Sequence, residues 1–282
     1  MKPTHTILDE ILVDVRRELA AAQARRPLAE LERMQADAPP RRSFAGALRT
    51  GFGLIAEIKV KSPSQGPMRA ANVAAAPAAY EASPIVRALS VLTNASHFGM
   101  DLERLRAAKL AGTKPVLRKD FIIDDYQVHE ACAFGADALL LMANLLSAAE
   151  LARLHALATT LGLDVLFECH DVEQIRALPA GALIYGINSR SFSVRGAAYA
   201  LARAQRAAGG QQDLTTDLTR FDALARQLPP NAIKVAESGV YAQNAARIRD
   251  ALGYHAILVG TSLLTSAVGV RAELEQFEQA LI

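Results

Sequence analysis

Tryptophan is absent from the 282 residues, and Phe, Tyr and Trp together make up only 5% of the chain. That scarcity argues against a stacking platform for nucleic-acid bases. Cysteine occurs twice, at Cys132 and Cys169, too few for a disulfide framework or a thiolate metal cluster. Both read as small apolar side chains. An excess of one charge is lacking too: 31 Lys and Arg against 29 Asp and Glu leave a scattered net +2. Neither a nucleic-acid groove nor a basic membrane patch is indicated. No apolar run approaches a membrane span. The N-terminal stretch MKPTHTILDEILVDVRREL is amphipathic and carries acids, unlike a secretory or transit peptide. The expectation is a soluble cytoplasmic protein without nucleic-acid or membrane partners.

What the chain does have is alternation. Apolar runs of strand length occur at 54–59, 85–92, 114–119, 137–142, 164–169, 183–188, 233–237 and 255–260. Between them lie segments such as DLERLRAAKLAG, YQVHEACAFGA and SAAELARLHALATTLG, with apolar residues at three-and-four spacing and a closing Gly. Eight strands alternating with helices predict an α/β protein whose parallel sheet closes into a barrel. A doubly wound sheet competes, but no GxGxxG turn follows the first strand. Residues 1–50 are expected to form a helical extension of one or two helices. Residues 51–282 form the barrel, interrupted by a long insert at about 193–213. Its Ala/Arg/Gln composition fits either a helix ending at Gly209-Gly210 or a disordered insertion.

The stretch PVLRKDFIIDDYQ poses a question, because an apolar run ends in three consecutive charges. Charges at the edge of a core are costly unless paired or used. Other runs end the same way: Glu57 with Lys59, Lys119, Glu168, Asn188 with Arg190, and Glu237 with Ser238. Barrel enzymes carry their active sites at these C-terminal strand ends, so the repetition predicts a site. Ser238-Gly239 and Gly260-Thr261 follow the last two strands, where such barrels often hold phosphate on backbone N–H groups. Arg190 and Lys59 supply cations nearby. His97, His129, His155, His170 and His255 lack ligand spacing and read as structural, so no metal is expected.

These residues resemble the indole-3-glycerol phosphate synthase family. The resemblance rests on LIAEIKVKSPSQGPMR, ALSVLTNASHFGMDLERL, PVLRKDFIIDDYQVHEACAFGADALLLM, LGLDVLFECHD, GINSRSF, AESGV and ILVGTSLL, in that order. It implies a (β/α)8 TIM barrel with an N-terminal helical extension packed on it. It also implies a cofactor-free lyase that turns a phosphorylated anilino-sugar into indole-3-glycerol phosphate, as a monomer or weak homodimer. Carried over by motif, Lys119 is the general acid for ring closure and Glu168 the acid/base of dehydration. Lys59 binds substrate and assists, while Glu57, Asn188 and Glu237 orient these groups. Arg190, Ser238, Gly239, Gly260 and Thr261 hold the phosphate, and Ser62 and Ser64 open a loop over the substrate. The family's GINNRNL reads GINSRSF here, with Ser189 and Ser191 in place of amides, and the insert is additional. Those departures leave open a specialised paralogue in a secondary indole pathway, or a catalytically silent barrel that acts as a binding partner. The isomerase one step earlier uses a Cys and Asp pair at strand ends one and six. Glu57/Lys59 and Asn188 stand there instead.

Overall fold

The computed structural model describes residues 7–63, 65–190 and 216–281. The expected insert, Ser64 and Ser191 lie outside them. The eight apolar runs form eight parallel strands: β1 (Gly53–Ile58), β2 (Val86–Leu92), β3 (Val116–Lys119), β4 (Ala138–Met142), β5 (Asp164–Cys169), β6 (Ile184–Asn188), β7 (Ile233–Glu237) and β8 (Ala256–Val259). Each pairs with the next, and β1 closes on β8 to complete a barrel. Continuous apolar runs suit strands buried on both faces, and β4, ALLLM, is buried throughout. The helices between strands start where the sequence supplies caps. Asp101 accepts from the Arg104 N–H, and Asp124 and Ser147 form capping boxes with Gln127 and Glu150. Among the described residues no helix is long and apolar enough to cross a membrane.

Among the described residues, three helices rather than one or two run ahead of the barrel: α1 (Ile7–Arg25), α2 (Leu28–Ala36) and α3 (Phe44–Arg49). The third has six residues, too few to show a periodicity, and is declared only by its Ser43 cap. Together they run from one end of the barrel to the other. On α1, Asp14 and Glu18 hold His97, Asn94 and Ser96, and the carbonyls of Ala22 and of Arg26 just past its end accept from Tyr126 Oη, so α1 lies over the loops after β2 and β3. α2 packs along helix Asp125–Ala133. α3 buries Phe44 and Leu48 at the opposite end, where the Ala45 N–H donates to Asp164 at the start of β5. A second departure concerns the KSPSQG segment, where Lys61–Ser62 pairs antiparallel with Gly66–Pro67 as a small hairpin.

The three charges that end the third run separate by strand alternation. Arg118 points outward into the layer between β3 and helix Asp125–Ala133. There it meets Asp120 at 2.9 Å and Glu130 at 3.3 Å and donates to the Gln127 carbonyl. Asp120 thus pairs with Arg118, while Lys119 points into the barrel mouth.

The opposite end depends on Asp137. Its carboxylate accepts from Lys109 Nζ at 2.6 Å, the Arg42 N–H at 2.7 Å and the Val116 N–H at 2.8 Å, and its ion pair with Lys109 is fully buried. Removing one partner of a buried pair strands the other. Asp137→Ala is therefore expected to cost about 3–5 kcal/mol of unfolding free energy. The measurement is the urea midpoint, and a loss below about 1 kcal/mol rules out this role.

Candidate active site

The C-terminal strand ends surround a cavity of about 270 Å³. Apart from Ser64, which lies outside the described residues, the residues expected at the site line it: Glu57, Lys59 and Ser62 from the end of β1 and the hairpin, Lys119 from β3, Glu168 from β5, Asn188 and Arg190 from the end of β6, Glu237, Ser238 and Gly239 from the end of β7, and Gly260 and Thr261 after β8. The lining also includes groups that strand-end reasoning passed over. Leu92 ends β2 and Phe98 follows it, Phe121 follows Lys119, Leu140 and Met142 lie on β4, and Ile11 comes from α1. Phe98 and Phe121 stack with ring centroids 6.2 Å apart. An apolar lining residue looks like core in a sequence, so only its position in the RKDF and SHF segments could have marked it.

Because strands follow one another around the barrel, the lining divides into arcs. Strands β2 to β4 supply the large apolar side chains, with Lys119 reaching in from among them, and β6 to β8 supply the hydroxyls, glycines and Arg190 beside Asn188 and Glu237. Within the second arc Ser238 and Gly239 take φ of 68° and 67°, the left-handed region, where Ser238 is the single non-glycine residue among those described. Two bonds secure that turn: Ser189 Oγ donates to the Ser238 carbonyl at 2.8 Å, and Asn244 Nδ2 donates to the Gly239 carbonyl at 2.9 Å. Ser262 Oγ is buried nearby without a hydrogen-bond partner.

Between the arcs sit the ionisable groups. Lys119 Nζ lies 3.1 Å from Glu168 Oε2 and 3.7 Å from Glu237 Oε2. Lys59 Nζ lies 2.6 Å from Glu57 Oε1, the two side chains sharing a face at two-residue spacing. Asn188 bonds Glu168 and accepts the Arg190 N–H at 2.9 Å. Two glycines make room for the carboxyls. A Cβ at 186 would stand 1.9 Å from Glu237 Oε1, and one at 260 would stand 2.5 Å from Glu57 Oε1. Gly260 therefore has a second use beside the anion role expected of it, and Gly186, in the GIN motif, was not foreseen at all.

The environment sorts the protons. Burial opposes charge on Lys119, but Glu168, Glu237 and Glu57 outweigh it and raise its ammonium above the ordinary lysine value. Burial likewise opposes charge on Glu168, yet Lys119 above all, with His170 and Asn188, draws it down to about 2. Glu237 goes the other way, raised well above 4.5 by burial and by the Glu168 charge to which it is hydrogen-bonded. The two carboxyls thus titrate as a pair, with burial and their mutual repulsion favouring the protonated form of Glu237. Glu57 is lowered, since Lys59 and Lys119 outweigh its burial. Lys59, Lys119 and Arg190 then face Glu57, Glu168 and Glu237, while Asp120, also on the lining, is paired with Arg118, and the cations suit an anionic ligand. A charged acid beside a carboxylate acceptor and a stored proton can carry out general acid–base chemistry.

The sign of the Glu237 shift can be tested. A carboxyl raised in the folded state contributes its full stability below 4.5, the ordinary value, and loses it as pH rises through the folded value. Glu237→Gln is neutral at every pH and escapes that loss. Its denaturation midpoint is expected to exceed that of the unaltered protein at pH 8, with the gap narrowing toward pH 4. Equal midpoints at pH 8 would show Glu237 ionised. Glu168, by contrast, contributes stability that is lost as pH falls from 4.5 toward 2.

Comparison with known proteins agrees with this geometry. The family model described as indole-3-glycerol phosphate synthase matches residues 8–195 and 211–277, skipping only the middle of the expected insert. The indole-3-glycerol phosphate synthase of Streptomyces griseus is 39% identical over 263 residues, covering 92% of this chain and 90% of the relative. That of Paenarthrobacter aurescens is 36% identical over 282 residues, covering 98% and 96%. Among solved structures, N-(5'-phosphoribosyl)anthranilate isomerase from Pyrococcus furiosus superposes with a TM-score of 0.54 at 13% identity, covering 82% of this chain and 98% of that one. That likeness concerns the fold alone.

Proposed function

The chain belongs to the indole-3-glycerol phosphate synthase family, and from that membership we propose how its residues divide the reaction. The enzyme closes an indole ring: 1-(2-carboxyphenylamino)-1-deoxyribulose 5-phosphate loses CO₂ and water to give indole-3-glycerol phosphate for tryptophan biosynthesis. One observation carries the assignment of roles. The Lys119–Glu168 pair stands between an apolar arc and an anion-seeking arc. The substrate has the same order, with an aryl ring at one end, a phosphate at the other and the reacting ribulose carbons between.

In this reading the ring lies against Phe98, Phe121 and Leu92, and the phosphate meets Arg190, the Ser238-Gly239 turn and the Gly260-Thr261 N–H groups. Lys59, already turned toward the cavity by Glu57, takes the carboxylate and assists dehydration. Lys119, kept charged by its carboxylates, protonates the ribulose carbonyl as the arene carbon attacks it. Loss of CO₂ restores the aromatic ring. Glu168, supplied by the proton it shares with Glu237, protonates the departing hydroxyl, and a carboxylate then takes up the ring proton. Asn188 and Glu57 hold these groups in place. Ser62, whose Oγ accepts the Gln65 N–H at 3.1 Å, fixes the hairpin bordering the cavity. The first 50 residues act as part of the catalytic unit, since Ile11 borders the ring site. A diffusible substrate, a cytoplasmic location and a monomer or weak homodimer complete the reading.

A fluorescence assay of indole-3-glycerol phosphate formation tests it. The unaltered protein is expected to turn over, and Lys119→Ala to lose a factor of about 10² or more in kcat. Absence of turnover by a folded protein would favour the specialised or silent paralogue. The phosphate assignment is tested separately by Arg190→Ala. A KM raised by about tenfold or more, with kcat falling much less, marks uniform binding of a charged group. A fall in kcat at unchanged KM would move Arg190 into the chemistry.

A further inference from the structure

The turn after β7 is strained and has to be held. Ser238 keeps a φ of 68°, in a region that disfavours a residue with a Cβ by about tenfold. Gly239 follows at 67°, and no described peptide is cis. In a trans peptide the C=O and the N–H point opposite ways, so fixing a carbonyl aims the N–H that follows it. The Ser238 carbonyl accepts from Ser189 Oγ at 2.8 Å, and the Gly239 carbonyl accepts from Asn244 Nδ2 at 2.9 Å. Neither Ser189 nor Asn244 is part of the cavity lining, whereas Ser238, Gly239 and Val240 are. The Gly239 N–H therefore turns away from Ser189 and toward the cavity. Among the described residues neither that N–H nor the Val240 N–H donates to an acceptor.

Ser189 is itself a fixed point. It directly follows β6 and is fully buried. Its N–H donates to the Glu237 carbonyl at 3.0 Å, and its carbonyl accepts the Asp217 N–H at 2.9 Å. These backbone bonds do not depend on the hydroxyl, so Oγ reaches the turn from a set position. Asp217 stands between Thr216 and Leu218, whose side chains a Cβ at 239 would meet at 3.2 and 2.9 Å. That side of the turn is closed, and glycine satisfies both the φ and the space. Position 189 is also one of the two at which GINSRSF departs from the family's amides.

We propose that Ser189 is a positioning residue for the substrate phosphate: its hydroxyl holds Ser238 in the left-handed region and so keeps the Gly239 N–H aimed into the cavity. Ser189 makes no bond to the ligand and acts only through the turn. Without the hydroxyl, Ser238 returns to negative φ, the peptide that follows turns with it, and the anion loses a donor. Glycine populates positive φ as readily as negative. The need for Ser189 is thus a need created by the Cβ of Ser238.

This rests on the phosphate reading above, and the experiment separates the two. Inorganic phosphate is titrated calorimetrically into the full chain, a readout that needs no turnover, and KM and kcat are measured with the anilino-sugar phosphate. Arg190→Ala reports on the subsite: if it leaves phosphate affinity unchanged, the subsite reading fails and the proposal with it. If it weakens phosphate while Ser189→Ala does not, the positioning role alone falls. Ser189→Ala is expected to raise the phosphate Kd and the KM by about tenfold, with kcat falling far less. Alongside Ser238→Gly the same change is expected to cost less than about threefold, because glycine needs no holding. An equal loss with and without Ser238→Gly means that Ser189 only places Arg190 or supports the fold, and overturns the proposal. Failure of Ser189→Ala to fold in both backgrounds overturns it too, whereas folding only alongside Ser238→Gly supports it.

Discussion

A lysine ammonium buried at the mouth of a barrel is the constraint from which the rest of the site follows. Taken from water, Lys119 needs counter-charge at close range, and Glu168 and Glu237 supply it at 3.1 and 3.7 Å. Carboxylates so close to one another repel, and burial together with the Glu168 charge shifts Glu237 toward its protonated form. Glu57, the third carboxyl near the ammonium, has its own partner in Lys59 at 2.6 Å. Stability and the proposed chemistry are therefore one arrangement here: the partners that make the buried charge tolerable are the groups to which proton transfer is assigned.

The frame keeps that arrangement from relaxing. One strand end serves two charge systems, with Lys119 inward and Arg118 outward in a buried network with Asp120, Glu130, Gln127 and Thr93. Asp120 in turn accepts the Phe121 N–H at 2.8 Å, so the outer network sets the position of a cavity wall. The N-terminal helices tie the loops over the mouth to the closed end, through the α1 contacts above and through Arg42 and Asp137 below. Displacing α1 removes Ile11 from the cavity wall as well as the roof from the β2 and β3 loops.

Much of this was legible in the chain because two physical signals were strong. Strands buried on both faces need continuous apolar runs, and all eight stood out. Charges that end such runs need a reason, and the reason placed Glu57, Lys119, Glu168 and Glu237 around one cavity. What was not legible had no such contrast. α3 is shorter than two helical turns, and the hairpin at Lys61–Ser62 rests on four residues and a Gly66 φ of 68°. Phe98, Phe121 and Met142 carry the composition of any core residue. Gly186 acts through a side chain it lacks, and the nearness of His170 to Glu168 is set by the turn after β5.

Gly186 and Glu237 are joined by an exclusion rather than a contact. Residue 186 is bare because the carboxyl from the neighbouring strand occupies the space its side chain would take. Neither position is free to drift alone: a side chain at 186 evicts the acid, and loss of the acid opens a void beside the glycine. Through descent the two sites should behave as a single character, exchanged together or not at all. In a relative that had abandoned this chemistry, a larger residue at 186 would be the first trace.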